Sequence, residues 1–204
     1  MLINGPLPPL LSVSVMAHPS RREHFGYLAE KLDIPLEKFA VDNGVGLWAN
    51  CRNAWLLADE KALYHVVVQD DAIVCKDFRE RAAEVINDAI RRAGTSEIAI
   101  SFYYGRRGNW AKRQADALAR GGVFQQSLNW GVAICLPVHL ISEMLAAGDA
   151  MHFTPQDDAR IGHFLRTRGI RIYYPVPSLI DHRSGPSLVG DPGSERHAYK
   201  FIDS

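Results

Sequence analysis

The sequence predicts an α/β fold in which one mostly parallel central sheet is flanked by helices. Two patterns predict it. Apolar runs of strand length alternate along the chain with stretches whose apolar residues recur at helical spacing. Polar clusters, His18–Arg22, Asp42-Asn43 and Gln69–Asp71, fall at the ends of the apolar runs, and open α/β sheets place ligands outside the carboxyl ends of their strands.

In chain order, Leu10–Met16 is an apolar strand with alternating Ser12 and Ser14, ending in the polar loop His18-Pro19-Ser20-Arg21-Arg22. Phe25, Leu28, Ala29 and Leu32 then have helical spacing, and a short strand, Phe39–Val41, stops at Asp42-Asn43-Gly44. A helix is expected over 48–63, with Trp48, Cys51, Trp55 and Leu56 on one side. Tyr64–Val68 is a β-branched strand that ends abruptly at Gln69-Asp70-Asp71. Asp77 opens an amphipathic helix with Phe78, Ala82, Val85, Ile86 and Ala89 inward; Glu80 completes a capping box and Gly94 closes it. Glu97–Tyr104 reads as a strand, and Gly105–Gly121 as a charged, irregular-to-helical segment. Val123–Leu136 is strand material broken by Asn129-Trp130-Gly131, and a helix runs from Pro137 to near Gly148. Thr154-Pro155 starts a further helix, with Thr154 as cap. Ile170–Tyr174 is the last expected strand, before a Pro/Gly/Ser-rich tail.

A chain of 204 residues, 47% hydrophobic, suits one domain with a real core. Its 23 basic and 23 acidic side chains cancel, so a polyanion could be held only by a local patch. Cys51, Cys75 and Cys135 are too scattered for a zinc site, and reduced thiols in a cytoplasmic protein are the simplest reading. The Leu7–Leu11 run, broken by Pro8 and Pro9 and lacking a basic start, does not read as a signal peptide, and no run approaches a membrane span.

Val66-Val67-Val68-Gln69-Asp70-Asp71-Ala72 is the sharpest chemical signal. Two carboxylates at the tip of a buried strand are costly unless a cation neutralises them, and hard oxygen ligands suit Mg²⁺ or Mn²⁺ holding a diphosphate. A loop with two solvated aspartates is the plain alternative. Likewise Asp42-Asn43-Gly44 reads as an ordinary turn, and Asp157 as a helix-start carboxylate.

The order of His-Pro-Ser-Arg-Arg at 18–22, Asp42-Asn43, Gln69-Asp70-Asp71-Ala72, Asn129-Trp130-Gly131, Pro155-Gln156-Asp157-Asp158 and Pro177-Ser178-Leu179-Ile180-Asp181-His182 resembles glycosyltransferases of the GT-A fold. It is similar in particular to small bacterial and phage members related to the lipopolysaccharide-type enzymes. The resemblance implies a GT-A-like (Rossmann-like) single domain, with a nucleotide-sugar half at about 10–78, an acceptor half at about 95–182 and a tail at 183–204. It implies a donor nucleotide-diphosphate sugar, such as a UDP-sugar, and Mn²⁺ or Mg²⁺ held by Asp71 and His182. Gln69 departs from the usual Asp-x-Asp motif at its first position. The nucleotide sugar would meet His18, Pro19, Arg21, Arg22, Asp42, Arg52, Gln69, Asp70, Arg183 and Ser187, with Arg52 contacting diphosphate or pairing with the metal-site carboxylates. Asp158 would be the catalytic base that deprotonates the acceptor hydroxyl.

Arg106, Arg107, Lys112 and Arg113, interleaved with Trp110, form the one concentrated basic segment. A solvated face is the simplest reading. The segment also suits an acceptor glycan or lipid-linked sugar, or a hydroxymethylated base in a phage DNA-modification pathway. Two other functions remain open. A nucleotidyltransferase would want a glycine-rich loop where 18–22 stands, and a non-catalytic nucleotide-sugar binding module would have no use for Asp70, Asp71, Asp158 and His182.

Overall fold

In the computed structural model the described residues are 10–106, 108–152, 154, 156–183 and 196–202. They form a seven-stranded sheet of order β2-β1-β3-β7-β5-β8-β6, with a small two-stranded sheet, β4-β9, beside it. The elements are β1 Leu11–Ala17, α1 Phe25–Leu32, β2 Phe39–Val41, α2 Leu47–Trp55, β3 Tyr64–Gln69, β4 Ala72–Val74 and α3 Phe78–Ala93. They continue with β5 Ala99–Ser101, α4 Ala111–Ala119, β6 Gly122–Gln125, β7 Ala133–Pro137, α5 Ile141–Asp149, α6 Asp157–Thr167, β8 Ile172–Pro175 and β9 Ile180–His182. β2, β1 and β3 are parallel neighbours; β7 opposes both β3 and β5, β8 follows β5, and β6 opposes β8. Only β7 and β6 therefore run against the other strands of the large sheet. The α/β class with a mostly parallel central sheet is as expected.

Alternation along the strands divides the core into two layers. Val13, Val15, Val66 and Val68 pack with Leu28 of α1 and Ala82 and Ile86 of α3 on one face. Val67 and Ile134 pack with Trp55 of α2, Met144 of α5 and Phe164 of α6 on the other. Ser12 and Ser14 interrupt this second face because they hold His65, which is fully buried. The Ser12 hydroxyl lies 2.7 Å from His65 Nδ1 and that of Ser14 3.0 Å from Nε2, while Ser14 also donates to the Ala54 carbonyl. The two serines thus satisfy an imidazole that would otherwise be an uncompensated polar group in the core.

Several boundaries differ from expectation, each for a local reason. The α2 helix ends at Trp55 rather than near 63, leaving Leu56 exposed. Beyond it the Asp59 amide donates to Ser12 Oγ, and the Asp59 carboxylate accepts from the Lys61 amide, fixing a turn. Asp77 adopts the left-handed region at φ 54° and makes no side-chain cap, so the capping box is absent; Gly94 closes α3 as expected. Packing sets the start of α3 instead, Phe78 meeting Phe102 edge-on at 5.5 Å. Thr154 accepts from the Gln156 amide, so the cap of α6 moves to Gln156 and Asp157 enters the helix; Pro155 lies outside the described residues. β4 and β9 were not expected as strands. They pair with Ala72 opposite His182, joining the chain after the acidic pair to the chain near the C-terminus. Among the described residues no helix is long and apolar enough to cross a membrane.

Burial lowers the His65 pKa from 6.5 to about 4. A neutral folded-state histidine contributes stability that is fully present above the unfolded pKa and is lost as pH falls toward the folded one. Between pH 6.5 and 4, His65 should therefore cost the protein roughly 3 kcal/mol of unfolding free energy. Urea unfolding of the wild type and of His65→Asn at both pH values should show a markedly smaller acid loss in the variant; equal losses would refute the assignment.

Candidate active site

Three adjacent parallel strands, β2, β1 and β3, deliver Asp42, His18 and Asp70-Asp71 to one edge of the sheet. Because β7 opposes β3, its amino end reaches the same edge, and the Gln69 amide donates to the Val132 carbonyl. The expected polar clusters of strands one, two and three therefore share a location, as the parallel topology requires.

At the centre lies a buried carboxylate pair. Asp70 is 4% and Asp71 7% exposed. Arg21 Nη1 bridges them, 2.7 Å from Asp70 Oδ1 and 2.6 Å from Asp71 Oδ2. The 3-10 turn Pro19–His24, capped by the His18 side chain, aims this guanidinium. The His18 amide donates to Asp70 Oδ2 at 2.6 Å, and His24 Nδ1 meets the Asp70 carbonyl at 3.0 Å. Across the β4-β9 pair, His182 Nε2 lies 3.2 Å from Asp71 Oδ2. Burial raises the Asp70 carboxyl above its usual range, against the pull of Arg21 and the His18 amide. Burial would do the same to Asp71, but His182 and Arg21 outweigh it and hold its pKa down. Burial tends to lower the Arg21 pKa, and the two carboxylates more than reverse this.

Two atoms remain unbalanced. Asp71 Oδ1 is buried without a hydrogen-bond partner among the described residues. His182 Nδ1 lies 2.6 Å from the Arg183 carbonyl. That oxygen can only accept, so Nδ1 carries a proton. In the neutral ring Nε2 then turns a lone pair toward Asp71 Oδ2, a repulsive contact unless a proton or a cation intervenes. The carboxylate oxygens suit a hard divalent cation, and the imidazole nitrogen suits a transition-metal ion. The described residues hold no cluster of three or more His, Cys, Asp or Glu side chains that could cage a metal alone, and Mg²⁺-type sites commonly combine one or two protein ligands with substrate phosphates. The residues present fit that kind of site.

The remaining expected residues spread around this centre. Asp42 caps its own turn, accepting from the Gly44 and Val45 amides, so the turn reading holds while the residue still sits at the carboxyl end of β2. Arg22 and Pro19 are exposed on the 3-10 turn. Arg52 points to the end of α5, its Nε 3.3 Å from Asp149, and does not join the carboxylate pair. The Arg183 amide donates to the Asp71 carbonyl at 2.8 Å, and its guanidinium lies over the Tyr27 ring at 4.5 Å. Ser187 and Arg107 lie outside the described residues. Arg106 is exposed, as are Lys112 and Arg113 on α4.

The amino end of α6 separates the second acidic pair. Asp157 is buried and is pushed up to about 6 by burial and then by Asp158; the Cys51 thiol is among its hydrogen-bond partners. Asp158 is half-buried, raised by burial, and lines a cavity of about 260 Å³ with Ser127, Leu128 and His163. Gly131 is the joint between this base candidate and β3. A Cβ there would lie 3.3 Å from Asp158 Cβ and 3.5 Å from Gln69 Nε2.

Trp130, Trp110 and Asp181 belong to motifs the sequence already marks, whereas their partners Tyr103, Tyr104, Tyr174 and Ala198 carry no sequence signal of their own. Trp130 sits in an aromatic cluster with Tyr103, Tyr104, Trp110 and Tyr174 at centroid distances of 5.3–6.0 Å, and Tyr103 reaches His182 at 6.5 Å. Asp181 accepts from the amides of His182 and Ala198, tying the segment 196–202 to β9. These partners come from distant stretches of chain, so no spacing announces them.

Arg21→Ala should lower stability by roughly 3 kcal/mol, because it leaves two buried carboxylates without their bridge. Adding Asp70→Asn should recover most of that loss, and urea unfolding reads both; no recovery would show that Arg21 acts through packing alone. For Asp157 the folded pKa lies above the unfolded 3.8, so its proton stabilises below that value and the benefit is lost as pH rises through about 6. Asp157→Asn should accordingly be more stable than wild type at pH 7, by up to about 3 kcal/mol, with the gap closing toward pH 4; a gap independent of pH would contradict this.

No protein-family model matches the sequence, and no curated protein matches it. Solved structures give faint likenesses. One is Drosophila beta-1,4-galactosyltransferase 7 in complex with manganese, UDP-Gal and xylobiose, at 7% identity and TM-score 0.48 over 85% of this chain and 71% of that one. Another is 4-diphosphocytidyl-2C-methyl-D-erythritol synthase from Anaerococcus prevotii, at 12% identity and TM-score 0.44, covering 84% and 71%. A third is a Bacillus anthracis protein described as a putative glucose-1-phosphate thymidylyltransferase in complex with a sucrose, at 14% identity and TM-score 0.39, covering 84% and 69%. At this level of likeness, the chemistry of this chain rests on its own side chains.

Proposed function

We propose that the chain is a glycosyltransferase that moves a sugar from a nucleotide-diphosphate sugar to an acceptor hydroxyl, assisted by Mn²⁺ or Mg²⁺ at Asp71 and His182. The carrying observation is the unbalanced pair at the strand edge: a buried carboxylate oxygen without a partner, beside an imidazole nitrogen facing the other oxygen of the same group. Such an arrangement favours a doubly charged cation. When bound, that cation would offset negative charge on the departing nucleotide diphosphate.

The chain's own groups supply the rest. At the carboxyl ends of β1 and β2, His18, Pro19, Arg22 and Asp42 would meet the nucleotide, as would Gln69 and Asp70 at the end of β3. Arg183, its guanidinium over Tyr27, would offer donors to the diphosphate, while Arg21 offsets the charge of Asp70 and Asp71 beside it. Asp158, with its basicity raised by burial, takes the proton from the acceptor hydroxyl as its oxygen attacks the anomeric carbon and the bond to the diphosphate breaks. A nucleotidyltransferase is less well served, since the turn after β1 directs an arginine at carboxylates in place of a glycine-rich phosphate cradle. An acceptor glycan suits the aromatic cluster around Trp130. For a hydroxymethylated DNA base, α4 offers Lys112 and Arg113 followed by Asp116, a weaker match for a polyanion.

Asp158→Asn should reduce kcat roughly a hundred- to ten-thousandfold while leaving the nucleotide-sugar thermal shift in Mn²⁺ intact. Asp71→Ala should abolish both metal-dependent turnover and that shift. Screening nucleotide sugars with Mn²⁺, followed by mass analysis of products, tests the pair; metal-dependent activity surviving Asp71→Ala would overturn the site.

A further inference from the structure

A second cavity, of about 490 Å³, opens between α4 and β6, away from the carboxylate pair. Its size falls within the range of small-ligand sites. Its lining is mixed in a particular way. Trp110, half-buried, supplies aromatic surface, Tyr104 beside it being only 1% exposed, and Gln125, Gln126 and Asn129 supply amides. Asn129 Nδ2 donates to Gln125 Oε1 at 2.7 Å and to the Ser127 carbonyl at 3.2 Å. Both its protons are then used, and the two side chains hold each other in place. Left over are one donor, Gln125 Nε2, and one acceptor, Asn129 Oδ1, with no protein partner among the described residues.

An aromatic face beside paired, pre-oriented amides matches a sugar ring, which offers an apolar face and a rim of hydroxyls that both donate and accept. Arg113 on α4 and Arg120 just past its end line the cavity together with Asp116, so a strand of phosphates would meet a carboxylate as well as the two guanidiniums.

The cavity is also connected to the reaction centre. Ser127 lines both this cavity and the smaller one containing Asp158. From Ser127 the chain runs through Asn129 and Trp130 to Gly131, against Asp158 and Gln69. In parallel, rings lead from Trp110 through Trp130 and Tyr103 to His182 at centroid spacings of 6.0, 6.0 and 6.5 Å.

We infer that the cavity between α4 and β6 is a remote acceptor subsite for a sugar ring, so the acceptor is an oligosaccharide rather than a single sugar. The role of the subsite in catalysis rests on the glycosyltransferase reading; sugar binding by the cavity does not.

The test titrates the full chain, without donor, against cello-, malto-, xylo- and chito-oligosaccharides as dimers and tetramers, and against a short single-stranded DNA. Tryptophan fluorescence and saturation-transfer NMR report binding. At least one tetramer should bind saturably and roughly tenfold more tightly than its dimer. Trp110→Ala and Gln125→Ala should each remove that advantage without changing the nucleotide-sugar thermal shift. Gln125→Ala guards against a folding defect in the tryptophan variant. The inference is overturned if no oligosaccharide binds, if binding is indifferent to both variants, or if the DNA binds and loses affinity in them. Sugar binding without any nucleotide-sugar shift would leave the subsite standing and refute the transferase reading instead.

Discussion

The architecture of the site depends on burying two adjacent carboxylates at the end of a central strand. An isolated charge taken out of water costs far more than one ordinary contact returns, so Asp70 and Asp71 can be buried only where positive or donor groups meet them. Those groups come from separate elements: the guanidinium of Arg21 and the amide of His18 from the turn after β1, and, when it carries both protons, the imidazole of His182 from β9. The β4-β9 pairing follows from the same need, since it brings His182 back opposite the residue after the acidic pair. The compensation is incomplete at Asp71 Oδ1. Among the described residues four buried side-chain atoms lack a hydrogen-bond partner, Asn50 Oδ1, Trp55 Nε1, Asp71 Oδ1 and Arg183 Nε, and Asp71 Oδ1, as the one carboxylate oxygen of the four, directs attention to what would sit beside it.

A second constraint is close approach. Gly131 lies where any side chain would press between Asp158 and Gln69. Gly105 lies where a Cβ would come within 2.6 Å of the Trp130 indole nitrogen. Both positions let the aromatic cluster and the amino end of α6 close on the sheet edge. The two aspartates at the start of α6 then diverge. Asp157 turns into the core against Cys51, while Asp158 faces a cavity. Adjacent residues on a helix point about 100° apart, and that angle separates a buried carboxyl from a solvent-accessible one.

Much of this was legible beforehand. The alternation of strands with helices and the abrupt passage from Val68 to Gln69-Asp70-Asp71 are local properties, as is the polar loop after the first strand. Periodicity and composition report such features directly. Helix starts were less legible at Asp77 and Thr154, where a favourable capping pattern yielded to the packing of Phe78 and to a turn at Gln156. Arg52 likewise has a plausible sequence position but lies against Asp149, because α2 presents it to α5 rather than to the sheet edge.

By itself the sequence determined the α/β class, the strand tips that carry polar residues and the acidic pair at the end of β3, because each is written in a short window of chain. Tertiary structure alone decided that Arg21 bridges that pair, that Ser12 and Ser14 serve His65, that His182 faces Asp71, and that Trp110 and Trp130 share one cluster. Those contacts join residues far apart in sequence, and only strand order and direction bring them within hydrogen-bonding or packing distance.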